Sequence, residues 1–395
     1  MPESPPIASR PRVALVGVSG YGVIHLQELQ RLHAAGAIVL AACVAVDAPN
    51  HPELLRTLAA NGCEIYTDFA TMLRAQAGRL DLCCLPTPIS CHAPMTLDAL
   101  AAGANVLVEK PLTATLGEAA AIAEAERRSG RFVAVGFQDI YQPANEVLKA
   151  ALLAGELGRL REIRILAARA RPLSYYRRNN WAGRITSHGT PVHDSPVNNA
   201  FAHFVNLALF FAGAAPARSA RVRHMQADLF RAQPIENFDT AVIHAQTDTG
   251  VAVKCYTTHS CAAELPQQLL LVGEHGTAEW TNNESVRITV QANTRHIPLP
   301  AANVTRPVMF DRVIARLSDA RTPICGLECA TEHVRLVELI QTTAAIRNVN
   351  PASVQRTALS GGDEQIAIAG IEDDFRAAYA SGKTLAEMAP AWSRA

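Results

Sequence analysis

The 395-residue chain predicts an α/β protein, with a doubly wound parallel sheet first and an α+β region on a largely antiparallel sheet after it. Three observations carry this prediction. Short apolar runs alternate with helical stretches from Arg12 to Phe137, longer alternating runs then replace them, and a glycine-rich turn directly follows the first apolar run, in RVALVGVSGYGVIHLQEL.

The runs VALVGV, IVLAACVAV, LDLCCL, NVLVEK and FVAVGF are nearly continuous in apolarity, as strands buried on both faces of a parallel sheet are. Between them HPELLRTLAANG, APMTLDALAAG and GEAAAIAEAERRSG read as helices, each ending at Gly. A connecting helix is expected near PANEVLKAALLAGELG. Beyond it LREIRILAARAR, FDTAVIHAQTDTGVAVKCYTTHS and LPQQLLLVGEHGTAEWT alternate as strands, with a hairpin turn at Asp248-Thr249-Gly250. The tail from about Asn350 reads as irregular and then helical.

Composition narrows the function. Thirty-six basic residues balance 36 acidic ones, which gives no electrostatic argument for nucleic acid or an anionic membrane. Nine cysteines scatter without metal-type pairing, so a reduced cytoplasmic chain is expected and no metal centre. MPESPPIASRPR has no apolar core after its charges and reads as a disordered leader over 1–11. The longest uncharged run, Ser195 to Ala217, holds three Asn, one His and two Pro, a buried helix rather than a membrane span. Only four basic residues are lysine: Lys110, Lys149, Lys254 and Lys383. Where Arg serves as the general cation, a retained Lys points to a titratable ammonium, and this singles out Lys110.

The turn Gly17-Val18-Ser19-Gly20-Tyr21-Gly22 sits between the first strand and the first helix, where backbone N–H groups face a pyrophosphate. Ser19 occupies the middle place usually held by glycine, with Gly20 beside it. Asp47, after the second strand, is the acid for the adenosine ribose. No Arg or Lys follows it until Arg56, which favours NAD over NADP without excluding NADP.

The stretch LPTPISCHAPMTLDALAAGANVLVEKPLTATLGEA closely resembles the glucose–fructose oxidoreductase/inositol dehydrogenase (Gfo/Idh/MocA) family. Its features there are a Thr-Pro turn, a following His and a strand ending in Glu-Lys-Pro, here Thr87-Pro88, His92 and Glu109-Lys110-Pro111. The resemblance covers about Arg12 to Ala345. It implies a Rossmann domain over 12–139 and a substrate-binding, oligomer-forming domain over 140–395 with a C-terminal extension. GVSGYG is also similar to the loop of acyl-phosphate reductases, but it is one residue short, and no cysteine has a nucleophile's setting. Ligands in such sheets sit off the carboxyl ends of the strands, where Lys110 lies and where it can share a substrate hydroxyl's proton.

The segment HDSPVNNAFAHFVNLALFFAG is expected to start a helix at Asp194 or Ser195, with Pro196 in its first turn. Asn199, His203 and Asn206 then form one polar stripe on an apolar helix. The family carries Asp-x-x-x-His on this helix, and His203 matches the His that takes the substrate proton. Asn199 and Asn206 stand where the family has Asp; an amide orients an imidazole but brings no charge. The stretch Ala168 to Gly189 packs five arginines around Tyr175, Tyr176 and Trp181, a surface suited to a sugar, inositol or sugar acid. Trp181, Arg178, Asn180 and Asp194 join Asn199 and His203 as expected substrate contacts. The expectation is an NAD(P)-dependent oxidoreductase acting on a sugar-like hydroxyl, catalysed by Lys110 and His203 with Asn199. The alternatives are a redox-neutral glycosidase with tethered NAD and a non-catalytic sensor of the same fold.

Overall fold

The computed structural model describes residues 10–300 and 302–394; the leader expected over 1–11 lies outside them except for its last two residues. The chain divides into two compact units. One holds the chain up to Leu112 with Gly117–Gly136 and Pro307–Leu327, and the other holds Thr113–Leu116, Phe137–Arg306 and everything from Glu328.

The first unit is a six-stranded parallel sheet. Its strands are β1 (Arg12–Val16), β2 (Val39–Val44), β3 (Glu64–Tyr66), β4 (Leu82–Leu85), β5 (Asn105–Val108) and β6 (Val133–Val135), in the order β3-β2-β1-β4-β5-β6. Val13–Leu15, Leu82–Leu85, Val106–Val108 and Val133–Val135 are fully buried, which is why these runs show no polar alternation. The expected helices form as α1 (Gly22–Ala34), α2 (Pro52–Ala60), α4 (Ile89–Ala101) and α5 (Leu116–Ser129), and α3 (Phe69–Ala75) was not among them. Strand β3 was not expected: at three residues it is too short to show a period. The single cut expected near 140 also needs correction. The segment from Pro307 joins the first unit: the Phe310 ring meets His25 at 5.0 Å, Asp311 pairs with Arg31 at 2.7 Å, and the Cys325 carbonyl accepts from Val135 N–H at 2.8 Å.

In the second unit the connecting helix α6 (Pro143–Leu153) leads into β7 (Leu160–Ala168). A short helix α7 (Leu173–Arg177) and a two-residue hairpin, β8 (Thr186–Ser187) with β9 (Thr190–Pro191), precede α8 (Ala202–Ala212). Then come β10 (Val222–Arg231), β11 (Thr240–Thr247), β12 (Ala252–Thr258), β13 (Leu265–Gly273), β14 (Gly276–Thr281), β15 (Ser285–Val290) and β16 (Asn293–Pro298). Helices α9 (Ala302–Arg316) and α10 (Leu327–Thr343) lead to β17 (Ile346–Asn348), which closes a nine-stranded sheet in the order β16-β15-β14-β13-β7-β12-β11-β10-β17. Neighbours are antiparallel except at β7–β12 and β10–β17, and β11 and β12 form the expected hairpin across Asp248–Gly250.

Helix α8, buried except at His203, covers one face of this sheet against β7, β12 and β13. On β7, β10, β11 and β12 the opposite face is covered by the chain's own tail. That tail holds a hairpin the sequence did not reveal, β18 (Val354–Ala358) with β19 (Glu364–Ile368), followed by α11 (Ile371–Ser381) and α12 (Leu385–Met388). Ile368, Ile371, Phe375, Leu385 and Trp392 pack there on Leu166, Phe230, Val242 and Tyr256, and Trp392 Nε1 donates to Asp374 at 2.8 Å. Among the described residues no helix is long and apolar enough to cross a membrane.

Candidate active site

The glycine turn closes β1 onto α1. Gly17 (φ +100°) and Gly20 (φ +56°) adopt left-handed backbone, and a Cβ at either would meet nothing within 4 Å, so the space beside both is open. At Gly22 the reason is packing: a Cβ there would stand 2.3 Å from the Gly17 carbonyl oxygen. Gly17 N–H donates to the Val44 carbonyl and Gly22 N–H to that of Ser19, each at 2.9 Å. Ser19 and Tyr21 are exposed. Asp47 lies beyond the end of β2, 3.0 Å from His51 Nε2. Partial burial pushes its carboxyl up, but hydrogen bonds from His51 and Ser19 outweigh this and hold it below the usual carboxylate range. An open backbone turn at the N-terminus of a 13-residue helix, with an ionised acid at the end of the next strand, fits a dinucleotide.

His92, buried on α4, braces the ends of β4 and β5. Its Nδ1 lies 2.7 Å from the Pro111 carbonyl oxygen and its Nε2 2.8 Å from that of Thr87, so the ring stands between the Thr87-Pro88 turn and the turn after Lys110 and, when neutral, donates its single N–H to one of the two. Burial lowers its pKa despite both carbonyls. Lys110 is half-buried at the end of β5, before a cis peptide to Pro111. Glu109 turns inward. Its Oε1 meets His25 Nε2 at 2.9 Å and its Oε2 accepts from Lys110 N–H at 3.1 Å. Burial pushes this carboxyl up, yet His25 and Lys110 hold it below its ordinary range. A Cβ on Gly136 would stand 2.6 Å from Glu109 Oε1, so the residue that follows β6 is glycine, which makes room for the acid.

In the second unit the structure revises the helix that carries His203. Helix α8 begins at Ala202, not at Asp194 or Ser195. Side chains of the preceding turn bond locally instead: Asn198 Nδ2 donates to the carbonyls of Val192 and His193, Asp194 Oδ2 accepts from Gly183 N–H at 2.6 Å, and Asn199 Nδ2 donates to Asp194 Oδ1 at 2.8 Å. Such bonds compete with helical ones. Asn199 is therefore not on a helical stripe with His203 and Asn206. Asn206 is fully buried on α8, and neither amide atom has a hydrogen-bond partner among the described residues.

The aromatic and cationic side chains of 168–189 do assemble. The Arg178 guanidinium lies 3.6 Å from the Tyr175 ring centroid and 5.1 Å from that of Trp181, while Arg171 covers Tyr175 at 4.2 Å. Tyr175 Oη lies 3.4 Å from Asn199 Nδ2, which links this stack to Asp194. Exposed Asn180 pairs with His188 at 2.6 Å, apart from the stack. His259, ring to ring with Phe201 at 5.0 Å, is kept neutral: burial first and Arg171 second press its pKa down to about 3.

His203 is half-buried. Phe137 meets its ring edge-on at 5.8 Å, and Asp139 Oδ2 lies 3.9 Å from its Nδ1. Sequence reasoning missed Asp139, as it missed His25 and His51. The one available signal was an acid four residues past the end of an apolar strand, in VAVGFQDIYQP.

Residues 11–137 match the family described as "Oxidoreductase family, NAD-binding Rossmann fold", and residues 146–279 match the "GFO/IDH/MocA C-terminal domain". Among curated proteins, inositol 2-dehydrogenase 4 of Saccharopolyspora erythraea is 37% identical over 38% of this chain and 42% of its own. A dTDP-3,4-didehydro-2,6-dideoxy-alpha-D-glucose 3-reductase of Streptomyces violaceoruber is 29% identical over 38% and 43%. The chain thus spans about two fifths of the length of these curated relatives. Among solved structures, the Bordetella pertussis WlbA dehydrogenase, in complex with NADH and UDP-GlcNAcA, superposes with TM-score 0.68 at 22% identity, over 85% of this chain and 96% of that one. An inositol dehydrogenase homolog from Azotobacter vinelandii, complexed with NADH and myo-inositol, gives 0.67 at 19%, over 84% and 94%. Those two likenesses establish the fold. The two matched domains, which span more than half of the chain, identify it as a member of the Gfo/Idh/MocA oxidoreductase family.

Proposed function

We propose that the protein is an NAD-dependent oxidoreductase interconverting a hydroxyl and a carbonyl on a sugar, polyol or sugar acid. The observation that carries this reading is His203, a half-buried imidazole backed by a carboxylate, in the unit that also holds the Arg171–Tyr175–Arg178–Trp181 stack. When bound, the nicotinamide accepts a hydride, the hydrogen and two electrons of the substrate's C–H bond, so the hydroxyl on that carbon must release its proton. His203 takes that proton, and Lys110 is the second proton-handling group of this reading. Gly17, Ser19, Gly20, Tyr21 and Gly22 hold the pyrophosphate on backbone N–H groups. Asp47, held ionised, accepts from a ribose 2′-hydroxyl and repels a 2′-phosphate, which favours NAD over NADP. Thr87, Pro88 and His92 shape the turn beside the cofactor, and Glu109 supports it through His25. Arg178, Trp181, Asn180, Asp194 and Asn199 hold the substrate, by stacking and by hydrogen bonds to its hydroxyls.

Relatives named for inositol and for deoxysugar nucleotides support the substrate class. Among the described residues no disulfide joins any of the nine cysteines, which suits a reducing cytoplasmic setting. Half-buried Leu270 and Val272 lie on the sheet face away from α8, and a second copy covering them would make a homo-oligomer.

The test is nicotinamide absorbance with NAD and then NADP across sugars, polyols and sugar acids, with His203→Ala and Lys110→Ala run alongside. Substrate-dependent reduction of NAD, lowered about 100-fold or more by either substitution, is the expected result. No reduction with either cofactor across the panel, or full turnover by His203→Ala, would overturn it.

A further inference from the structure

We infer that Asp139 is the positioning residue for His203, supplying from outside α8 the negative charge that Asn199 cannot. The inference rests on the proton-accepting role proposed for His203. The position where the family's acid is expected holds Asn199, and its amide is directed to Asp194 and Tyr175. Asp139 lies on the single 3-10 turn Gln138–Tyr141 and is itself 7% exposed. Its carboxylate faces the His203 imidazole across 3.9 Å, which is ion-pair range but beyond a hydrogen bond. The turn that carries it is braced: Asn145 Nδ2 donates to the Asp139 carbonyl at 2.7 Å, and Trp280 Nε1 holds Asn145 Oδ1 at 2.8 Å. Phe137 limits the ring's rotation edge-on. The carboxylate of a purely structural buried acid would be tied into the fold, as that of Glu109 is. Among the described residues only the Gln142 side chain and His203 reach the Asp139 carboxylate.

Burial raises its pKa from 3.8 to about 6, against the Gln142 bond, so it is largely ionised at pH 7 but poorly compensated. An imidazolium formed at His203 would compensate it. Two neighbouring ionisable groups have partners of their own. His333 on α10 touches Phe137 and bonds the Val197 carbonyl, and Lys149 on α6 is directed to the carbonyls of Phe210 and Gly213.

The experiment is an NMR titration of the imidazoles in the full chain, for wild type, Asp139→Asn and Asp139→Glu. The His203 signal, one among 13 histidines, is assigned by its loss in His203→Gln. Asp139→Asn should lower the His203 midpoint by about one pH unit. Asp139→Glu, which keeps the charge at a changed distance, should fall between the two. An unchanged midpoint in both variants overturns the inference, whatever the enzyme turns over. In assays, the acid limb of kcat/KM should shift to lower pH with the midpoint, with kcat falling and KM within about twofold. A midpoint that moves while the limb stays put would leave the pairing standing and refute the base role given to His203.

Discussion

Each unit buries one carboxylate against a histidine, and the two pairs are built in opposite ways. Glu109 meets His25 at 2.9 Å, takes the Lys110 N–H as well, and sits in space that Gly136 vacates. Its charge is compensated, and its pKa lies below the ordinary value despite full burial. Asp139 stands 3.9 Å from His203, and burial raises it to about 6. Both carboxylates are buried, so depth does not separate the two pairs; the contacts each carboxylate makes do. A closed pair adds stability and resists titration, whereas an open pair costs stability and leaves a charge to be answered by a proton.

The sharpest way to break this contrast is to remove the closed pair. Glu109→Ala leaves His25 buried without its acid and should destabilise the first unit by about 3–5 kcal/mol in denaturant unfolding. A loss near zero would mean that the 2.9 Å contact holds nothing. Gly136→Ala adds a second check, since its clash is with the Glu109 carboxylate: it should cost clearly less in a Glu109→Ala background than in wild type. Glu109 has a depressed pKa, so its contribution is present above the ordinary Glu value and is lost as pH falls through the lower folded one.

The open pair predicts the reverse sign. A carboxyl raised from 3.8 to about 6 favours the folded state at low pH and loses that contribution as pH rises through 6. Asp139→Asn should therefore unfold at higher denaturant than wild type at pH 8, by up to roughly 3 kcal/mol at 1.36 kcal/mol per pH unit. The gain should shrink below pH 6 and vanish below pH 4. A variant less stable than wild type at pH 8 would show that Asp139 is as well compensated as Glu109. The expected combination, more stable and less active, is what a residue kept for function produces.

Sequence and structure agree where the physics is local. The turn from Gly17 to Gly22 was legible because strand, glycines and helix are contiguous, and Gly22 is required by a carbonyl only five residues back. The buried strands were legible because both faces are covered, and the β11–β12 hairpin because its turn residues are distinctive. What stayed hidden depends on partners distant in the chain. Asp139 has no periodic context on a single 3-10 turn, and its meaning comes from a histidine on another helix. The spacing of Asn199 fits a helix; the side-chain bonds of Asp194, Asn198 and Asn199 that end that register cannot be read from spacing. The hairpin β18–β19 was missed because its first strand is mostly exposed and polar, and it is held by packing on a sheet formed much earlier in the chain.

Asn206 sharpens the comparison with a buried polar group that carries no charge at all. It lies one helical turn beyond His203 and is fully buried, and both amide atoms lack partners among the described residues. A buried amide without hydrogen bonds costs about 1–3 kcal/mol, and an apolar side chain of similar size removes that cost. If Asn206 only packs, Asn206→Leu should leave stability unchanged or raise it by about 1 kcal/mol, with turnover untouched. If instead the amide serves the histidine, the same change should lower kcat and displace the His203 titration at constant stability. The sign of the stability change and the histidine midpoint together decide between these outcomes. The effect is the smallest of the three because no charge is moved, and for the same reason it isolates orientation from electrostatics at His203.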